Sequence, residues 1–121
     1  MVIDDSQVSL ILMKSIIDEL GQGHTVLLEE DSRMAVGRMK ETRPDIVILD
    51  IMMPEVDGLS ILRLMRDDKL LNNIPVIVLS ALGDSKIETE ALTLGASYYL
   101  RKPLNQNILV PIIRKLSNKS K

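Results

Sequence analysis

The stretch Asp45-Ile46-Val47-Ile48-Leu49-Asp50-Ile51-Met52-Met53-Pro54-Glu55-Val56-Asp57-Gly58 constrains the fold more than any other part of the chain. Ile46 to Leu49 form an apolar run too short for a helix. All are β-branched or leucine, as a strand buried on both faces of a parallel sheet requires. Asp50 ends the run. Helices cover both faces of such a sheet, so ligands bind at the rim made by the carboxyl ends of its strands, and Asp50 falls on that rim. Pro54 and Asp57-Gly58 predict a loop that fixes the peptide carbonyls just after Asp50. Carboxylate and carbonyl oxygens together are the ligands a hard divalent cation takes.

Around this stretch, short apolar runs alternate with amphipathic ones. Met1 to Ile3 reads as a short strand. Ser6 caps a helix in which Val8, Ile11, Leu12 and Ile16, with Leu10, Met13, Ile17 and Leu20 beside them, predict a wide buried stripe ending at Gly21 and Gly23. Thr25 to Leu28 reads as a second strand; Met34, Ala35, Val36 and Met39 mark a second helix closed by Pro44. Leu59, Leu62 and Met65 mark a third helix, and Val76-Ile77-Val78-Leu79 a second doubly buried strand ending in Ser80. Ile87, Ala91, Leu92 and Leu94 make a weaker helix stopped by Gly95. Tyr98-Tyr99-Leu100 is a last strand running into Arg101-Lys102-Pro103, and Ile108, Leu109, Ile112, Ile113 and Leu116 mark the last helix. Pro111 would cost on the order of 3 kcal/mol inside a helix begun near Asn105, so this helix is expected to start late, with Asn107 as its cap. Five strand-then-helix repeats predict an α/β fold with a parallel sheet and right-handed crossovers.

The chain has 121 residues, 45% of them hydrophobic, which suits one domain with one core. Its net charge of −2, without a strong basic patch, favours neither nucleic acid nor an acidic membrane surface. The absence of cysteine removes disulfides, thiol catalysis and cysteine metal sites. No apolar run approaches the ~18–20 residues of a membrane span, and Met1-Val2-Ile3 running into Asp4-Asp5 is no signal peptide. A soluble, cytoplasmic protein is expected.

The polar residues at strand ends define the expected chemistry. Asp4 and Asp5 follow the first strand, Asp50 ends the third, Ser80 the fourth, and Lys102 follows the fifth, all on one edge of a parallel sheet. Three carboxylates within about 5 Å repel by about 3 kcal/mol per pair at an effective dielectric of ~20, which a cation would relieve. Mg²⁺ takes one or two carboxylates, a carbonyl and waters, and shares its other positions with phosphate oxygens. The chemistry that fits is phosphoryl transfer to a carboxylate: Asp50 as nucleophile, Asp4 and Asp5 holding the metal, Lys102 and Ser80 facing the phosphoryl oxygens. Singly, each residue has an ordinary reading: a solvated turn for Asp4-Asp5, a cap for Asp50, a loop hydroxyl for Ser80. Their joint order at strand ends is what carries the argument.

With these residues in place, the chain resembles the receiver domain of two-component response regulators over essentially its whole length. The matching motifs are Asp4-Asp5, Asp50 followed by Met53-Pro54-Glu55-Val56-Asp57-Gly58, Ser80-Ala81 and Lys102-Pro103, with Ser80 thirty positions after Asp50. The resemblance implies a (βα)5 flavodoxin-like, doubly wound sheet of strand order 2-1-3-4-5. It implies phosphorylation of Asp50, and Mg²⁺, with Mn²⁺ able to substitute, held by Asp4, Asp5, Asp50 and the Met52 carbonyl. It also implies a switch in which Tyr99 turns inward as Ser80 moves to the phosphoryl group. Which of Tyr98 and Tyr99 faces the core depends on a register not visible in sequence. Met52 and Leu82 stand at family positions that tune hydrolysis. The implied partners are a sensor histidine kinase or histidine phosphotransfer protein and a downstream protein or detached output domain, reached through the strand 4–5 and last-helix face. A monomer or weak phosphorylation-dependent dimer is expected. With no output domain after Lys121, the expectation is a single receiver domain over residues 1–121 that catalyses only its own phosphorylation and slow hydrolysis.

Three alternatives come from other classes. A haloacid-dehalogenase-type phosphatase needs a second acid where Met52 stands. A nucleotide-binding domain needs a glycine-rich loop where Asp4-Asp5-Ser6-Gln7 stands. A pseudo-receiver interaction module working without phosphorylation commonly lacks one or more of the site residues, all of which are present here.

Overall fold

A computed structural model describes residues 1–21, 23–53, 57–81, 83 and 85–119. The loop residues Pro54, Glu55 and Val56, and Leu82, lie outside the described residues. Five strands, β1 (Val2–Ile3), β2 (Leu28–Glu29), β3 (Val47–Asp50), β4 (Val76–Ser80) and β5 (Tyr98–Arg101), alternate with five helices. The helices are α1 (Gln7–Asp18), α2 (Ala35–Thr42), α3 (Gly58–Asp67), α4 (Ser85–Thr93) and α5 (Gln106–Lys119), and a 3-10 turn, Ser32–Met34, precedes α2. All strands are parallel, in the order β2-β1-β3-β4-β5. This is the flavodoxin-like order.

β3 and β4 are buried at every residue, as their unbroken apolar runs require. Ile3, Val47, Leu49, Val76 and Val78 pack with residues of α2, α3 and α4 on one face of the sheet. Val2, Ile48, Ile77 and Leu79 pack with α1 and α5 on the other. β2 is shorter and later than the sequence predicts, because this edge strand pairs only with the two residues of β1. Tyr98 joins the α1–α5 cluster and Tyr99 the opposite one, which settles the orientation of the pair.

Two helices depart from expectation. In α1 the buried residues are Leu10 and Met13, with Ile16 and Ile17 half-buried, whereas Val8, Ile11 and Leu12 are 68, 66 and 59% exposed. The sequence carries apolar residues on more of this helix than the sheet and α5 cover. α5 begins at Gln106, not late: the Asn105 side chain accepts the Asn107 N–H at 2.8 Å, and its carbonyl accepts those of Ile108 and Leu109. Pro111 is therefore interior, at an exposed position. Burying Leu109, Ile113 and Leu116, at about 1.5–3 kcal/mol each, outweighs the ~3 kcal/mol penalty of an interior proline.

One side chain ties the loops beneath the sheet. Arg66, at the end of α3, donates from Nε to the Leu94 carbonyl (3.1 Å), from Nη1 to those of Asn72 (2.9 Å) and Ile74 (3.1 Å), and from Nη2 to that of Gly95 (2.8 Å). Gly95 closes α4 with φ +95°, while the Ala96 N–H reaches back to the Ala91 carbonyl and that of Gly95 to Leu92. Arg66→Ala should cost about 2–3 kcal/mol in urea denaturation. Arg66→Lys should recover only part of that, because one ammonium cannot replace a planar fork serving four carbonyls.

Candidate functional site

Because β1, β3, β4 and β5 are consecutive neighbours, their carboxyl ends form one rim. Asp4 is bound at this rim from both sides: its backbone N–H donates to the Glu29 carbonyl (3.1 Å), and its Oδ1 accepts the Ser6 N–H (2.9 Å). Ser6 in turn caps α1, its Oγ accepting the Ser9 N–H at 3.3 Å. Asp50 closes β3, and its Oδ1 accepts the Met52 N–H at 3.1 Å. Asp4 and Asp50 are buried, at 1 and 4% exposure, while Asp5 is exposed. Oxygens of Asp4, Asp5 and Asp50 lie within 4.8 Å of one another.

Lys102 answers this negative charge. Its Nζ donates to Asp4 Oδ2 at 2.8 Å and to Asp50 Oδ2 at 3.2 Å. Burial pushes the Asp50 carboxyl above the usual carboxylate range, and the Asp4 charge adds to this; Lys102 and the Met52 N–H pull the other way. Burial disfavours the Lys102 ammonium, but the hydrogen bond to Asp4 and the charges of Asp50 and Asp4 outweigh it and hold its pKa above the usual lysine value. One ammonium faces three carboxylates, so the rim keeps a net negative charge. An oxygen-rich donor set with excess negative charge fits a hard divalent cation, and Asp4, Asp5 and Asp50 are the side chains that would hold it.

Ser80 is fully buried beside this cluster, and its carbonyl accepts the Lys102 N–H at 2.9 Å. Tyr99 stands on the α2–α4 side of β5, paired in register with Val78. The Lys102–Pro103 peptide bond is cis. A cavity of about 320 Å³ lined by Met1, His24, Val26 and Ile46 lies at the amino ends of the strands, away from the carboxylates.

The residue that sequence reasoning undervalued is Gly58. Its N–H donates to the Ile51 carbonyl at 3.0 Å, and a Cβ there would lie 2.5 Å from the Asp50 carbonyl oxygen and 2.7 Å from Ile51 Cα. α3, capped by Asp57 through the Ser60 N–H (2.9 Å), thus rests directly on the backbone that carries Asp50. The Asp57-Gly58 pair signals a turn in sequence but not this contact.

The fold and rim define an Asp-centred receiver. The family model of the response regulator receiver domain matches residues 1–114, and the chain belongs to that family. It is 30% identical over 117 residues to response regulator PleD of Caulobacter vibrioides, covering 97% of this chain and 25% of PleD. The chain thus spans about a quarter of that relative's length. Among solved structures, it is similar to the signal receiver domain of a signal transduction histidine kinase from Syntrophus aciditrophicus (TM-score 0.88, 31% identity), covering 99% of this chain and 89% of that one. It is also similar to the receiver domain of a DNA binding response regulator from Colwellia psychrerythraea (TM-score 0.91, 25% identity), covering 97 and 95%. Receiver domains are phosphorylation switches of two-component signalling that work with histidine kinases or phosphotransfer proteins, and they bind Mg²⁺ at such an Asp cluster. Among the described residues, no helix is long and apolar enough to cross a membrane.

Two outcomes follow from this geometry. Gly58→Ala should cost about 1–3 kcal/mol through overpacking against Asp50 and Ile51, read as a lower urea midpoint. Because the folded chain raises the Asp50 pKa, Asp50 favours folding below its ordinary value of 3.8 and withdraws that contribution as pH rises through the raised value. In EDTA at pH 7, Asp50→Asn should therefore be more stable than the parent by roughly 0.5–2 kcal/mol, with the gap closing as pH falls toward the ordinary carboxylate value.

Proposed function

We propose that this chain is a signalling switch that accepts a phosphoryl group on Asp50 from the phosphohistidine of a sensor kinase or phosphotransfer protein. The observation that carries the reading is the Lys102 ammonium bridging Asp4 and Asp50 on a rim where Asp5 completes a three-carboxylate cluster. An Asp50 oxygen forms the bond to phosphorus as the phosphorus–nitrogen bond to the donor imidazole breaks, and the imidazole leaves with that electron pair. Asp4, Asp5, Asp50 and the Met52 carbonyl would hold Mg²⁺ or Mn²⁺, which supplies positive charge against the transferring oxygens. Lys102, already within hydrogen-bond reach of Asp50, stabilises the same oxygens from the protein side. The Ser80 hydroxyl then turns to the phosphoryl group, and Tyr99 on the same side of the sheet repacks.

Exposed Val8, Ile11 and Leu12 on α1, the helix that follows Asp5 in the chain, offer the donor an apolar landing surface. The output face is formed by the edge strand β5 with α4 and α5, on which Leu92 and Ile108 are exposed for a downstream protein or detached output domain; β4 is buried at every residue, so of the strand 4–5 face expected from sequence only β5 can take part. The chain catalyses its own phosphorylation and slow hydrolysis rather than a metabolic reaction. It acts as a monomer or a weak, phosphorylation-dependent dimer.

The test is intact mass after incubation with acetyl phosphate, with and without Mg²⁺, for the parent and Asp50→Asn. A metal-dependent gain of one phosphate, absent from the variant, is the expected result. No gain by folded parent protein under any condition would replace this reading with a pseudo-receiver module that binds partners without phosphorylation.

A further inference from the structure

The two carboxylate oxygens of Asp4 have donors of unequal stiffness. Oδ2 takes the Lys102 ammonium at 2.8 Å, carried on a flexible four-carbon stem. Oδ1 takes the Ser6 backbone N–H at 2.9 Å. A backbone donor orients a carboxylate only as well as its own peptide is held, and the first turn of α1 holds Ser6. Its carbonyl accepts the Leu10 N–H at 3.0 Å, and its hydroxyl accepts the Ser9 N–H at 3.3 Å. Leu10 is buried in the cluster that also contains Val2 of β1. The chain thus leaves β1 after Ile3, turns through Asp4 and Asp5, and packs back beside the same strand at Leu10. Ser6 is the link between that turn and the helix.

We propose that Ser6 is a positioning residue for the cation site: its hydroxyl fixes the start of α1, and so fixes the N–H that sets the rotation of the Asp4 carboxylate. With a donor already on each oxygen, Asp4 has only its remaining lone pairs for a cation or a cation-bound water. Their directions follow the rotation of the carboxylate, and the near-ideal octahedron that Mg²⁺ demands tolerates little error in them. Groups that orient a metal-binding carboxylate therefore affect affinity without touching the ion. Without the cap the turn must be ordered as the ion binds, and affinity falls by up to what the cap contributed. The inference rests on the proposed cation at this rim and does not depend on phosphate transfer.

The experiment is a Mg²⁺ titration of the unphosphorylated protein, followed by amide chemical shifts. It compares the parent with Ser6→Ala, Ser6→Thr and Ser6→Gly, and with Arg66→Ala as a control that loses stability far from the rim. Ser6→Ala should bind Mg²⁺ roughly 3- to 5-fold more weakly, an ordinary helix cap read as an equilibrium constant. Ser6→Thr keeps a capping hydroxyl and should restore parental affinity. Ser6→Gly separates positioning from stability, because glycine costs a helix start little although it has no side-chain acceptor. Its urea midpoint should stay near the parental one while its Mg²⁺ affinity falls as in Ser6→Ala. Arg66→Ala should show the reverse, a lower urea midpoint with parental affinity. Parental affinity in Ser6→Ala or Ser6→Gly, an equal loss in Arg66→Ala, or a folded parent that binds no Mg²⁺ would each overturn the proposal. In phosphorylation by acetyl phosphate, Ser6→Ala should need roughly 3- to 5-fold more Mg²⁺ for half its maximal rate and reach the parental rate at saturation. A parent that binds Mg²⁺ but takes no phosphate would remove the phosphoacceptor reading, and the titration would still decide the role of Ser6.

Discussion

The rest of the structure answers to one electrostatic constraint: two buried carboxylates, Asp4 and Asp50, and an exposed third, Asp5, meet at one rim. Unpaired buried charges are expensive, and like charges at this separation add to the cost. The Lys102 ammonium, shared between Asp4 and Asp50, is the protein's own partial answer. It leaves negative charge unmatched, which suits the rim to a cation as well as to an ion pair. A site satisfied internally would gain less from a cation or a phosphoryl group.

Holding those charges together takes a rigid frame. β3 and β4 are buried on both faces, so neither can shift register without exposing apolar side chains. Gly58 lets the start of α3 rest on the Asp50–Ile51 backbone, which fixes Asp50 from behind. At the opposite end of the molecule Arg66 gathers four loop carbonyls beneath α3 and α4. The strand held least tightly by burial is β5, at the edge of the sheet, where no residue is fully buried.

Where the structure departs from local sequence pattern, or decides what that pattern leaves open, the cause is tertiary packing. The apolar periodicity of α1 was visible, but which row would be buried depends on how much surface the sheet and α5 offer, and they cover Leu10 and Met13 while leaving Val8, Ile11 and Leu12 outside. Pro111 argued locally for a late start to α5, whereas the caps supplied by Asn105 and the burial of Leu109, Ile113 and Leu116 override that local preference. Tyr98 and Tyr99 are indistinguishable in sequence; their opposite faces follow from the pairing of β5 with β4.

By itself the sequence determined the fold class and the identity of the rim residues. Buried parallel strands need unbroken apolar runs, and in a parallel sheet every strand's carboxyl end points the same way, so Asp4, Asp5, Asp50, Ser80 and Lys102 were bound to share an edge once five strand–helix repeats were recognised. Only the tertiary structure decided how they meet: Lys102 between Asp4 and Asp50, and Gly58 against the Asp50 backbone. Such contacts join elements far apart in the chain, and their geometry is set by side-chain packing that no local pattern encodes.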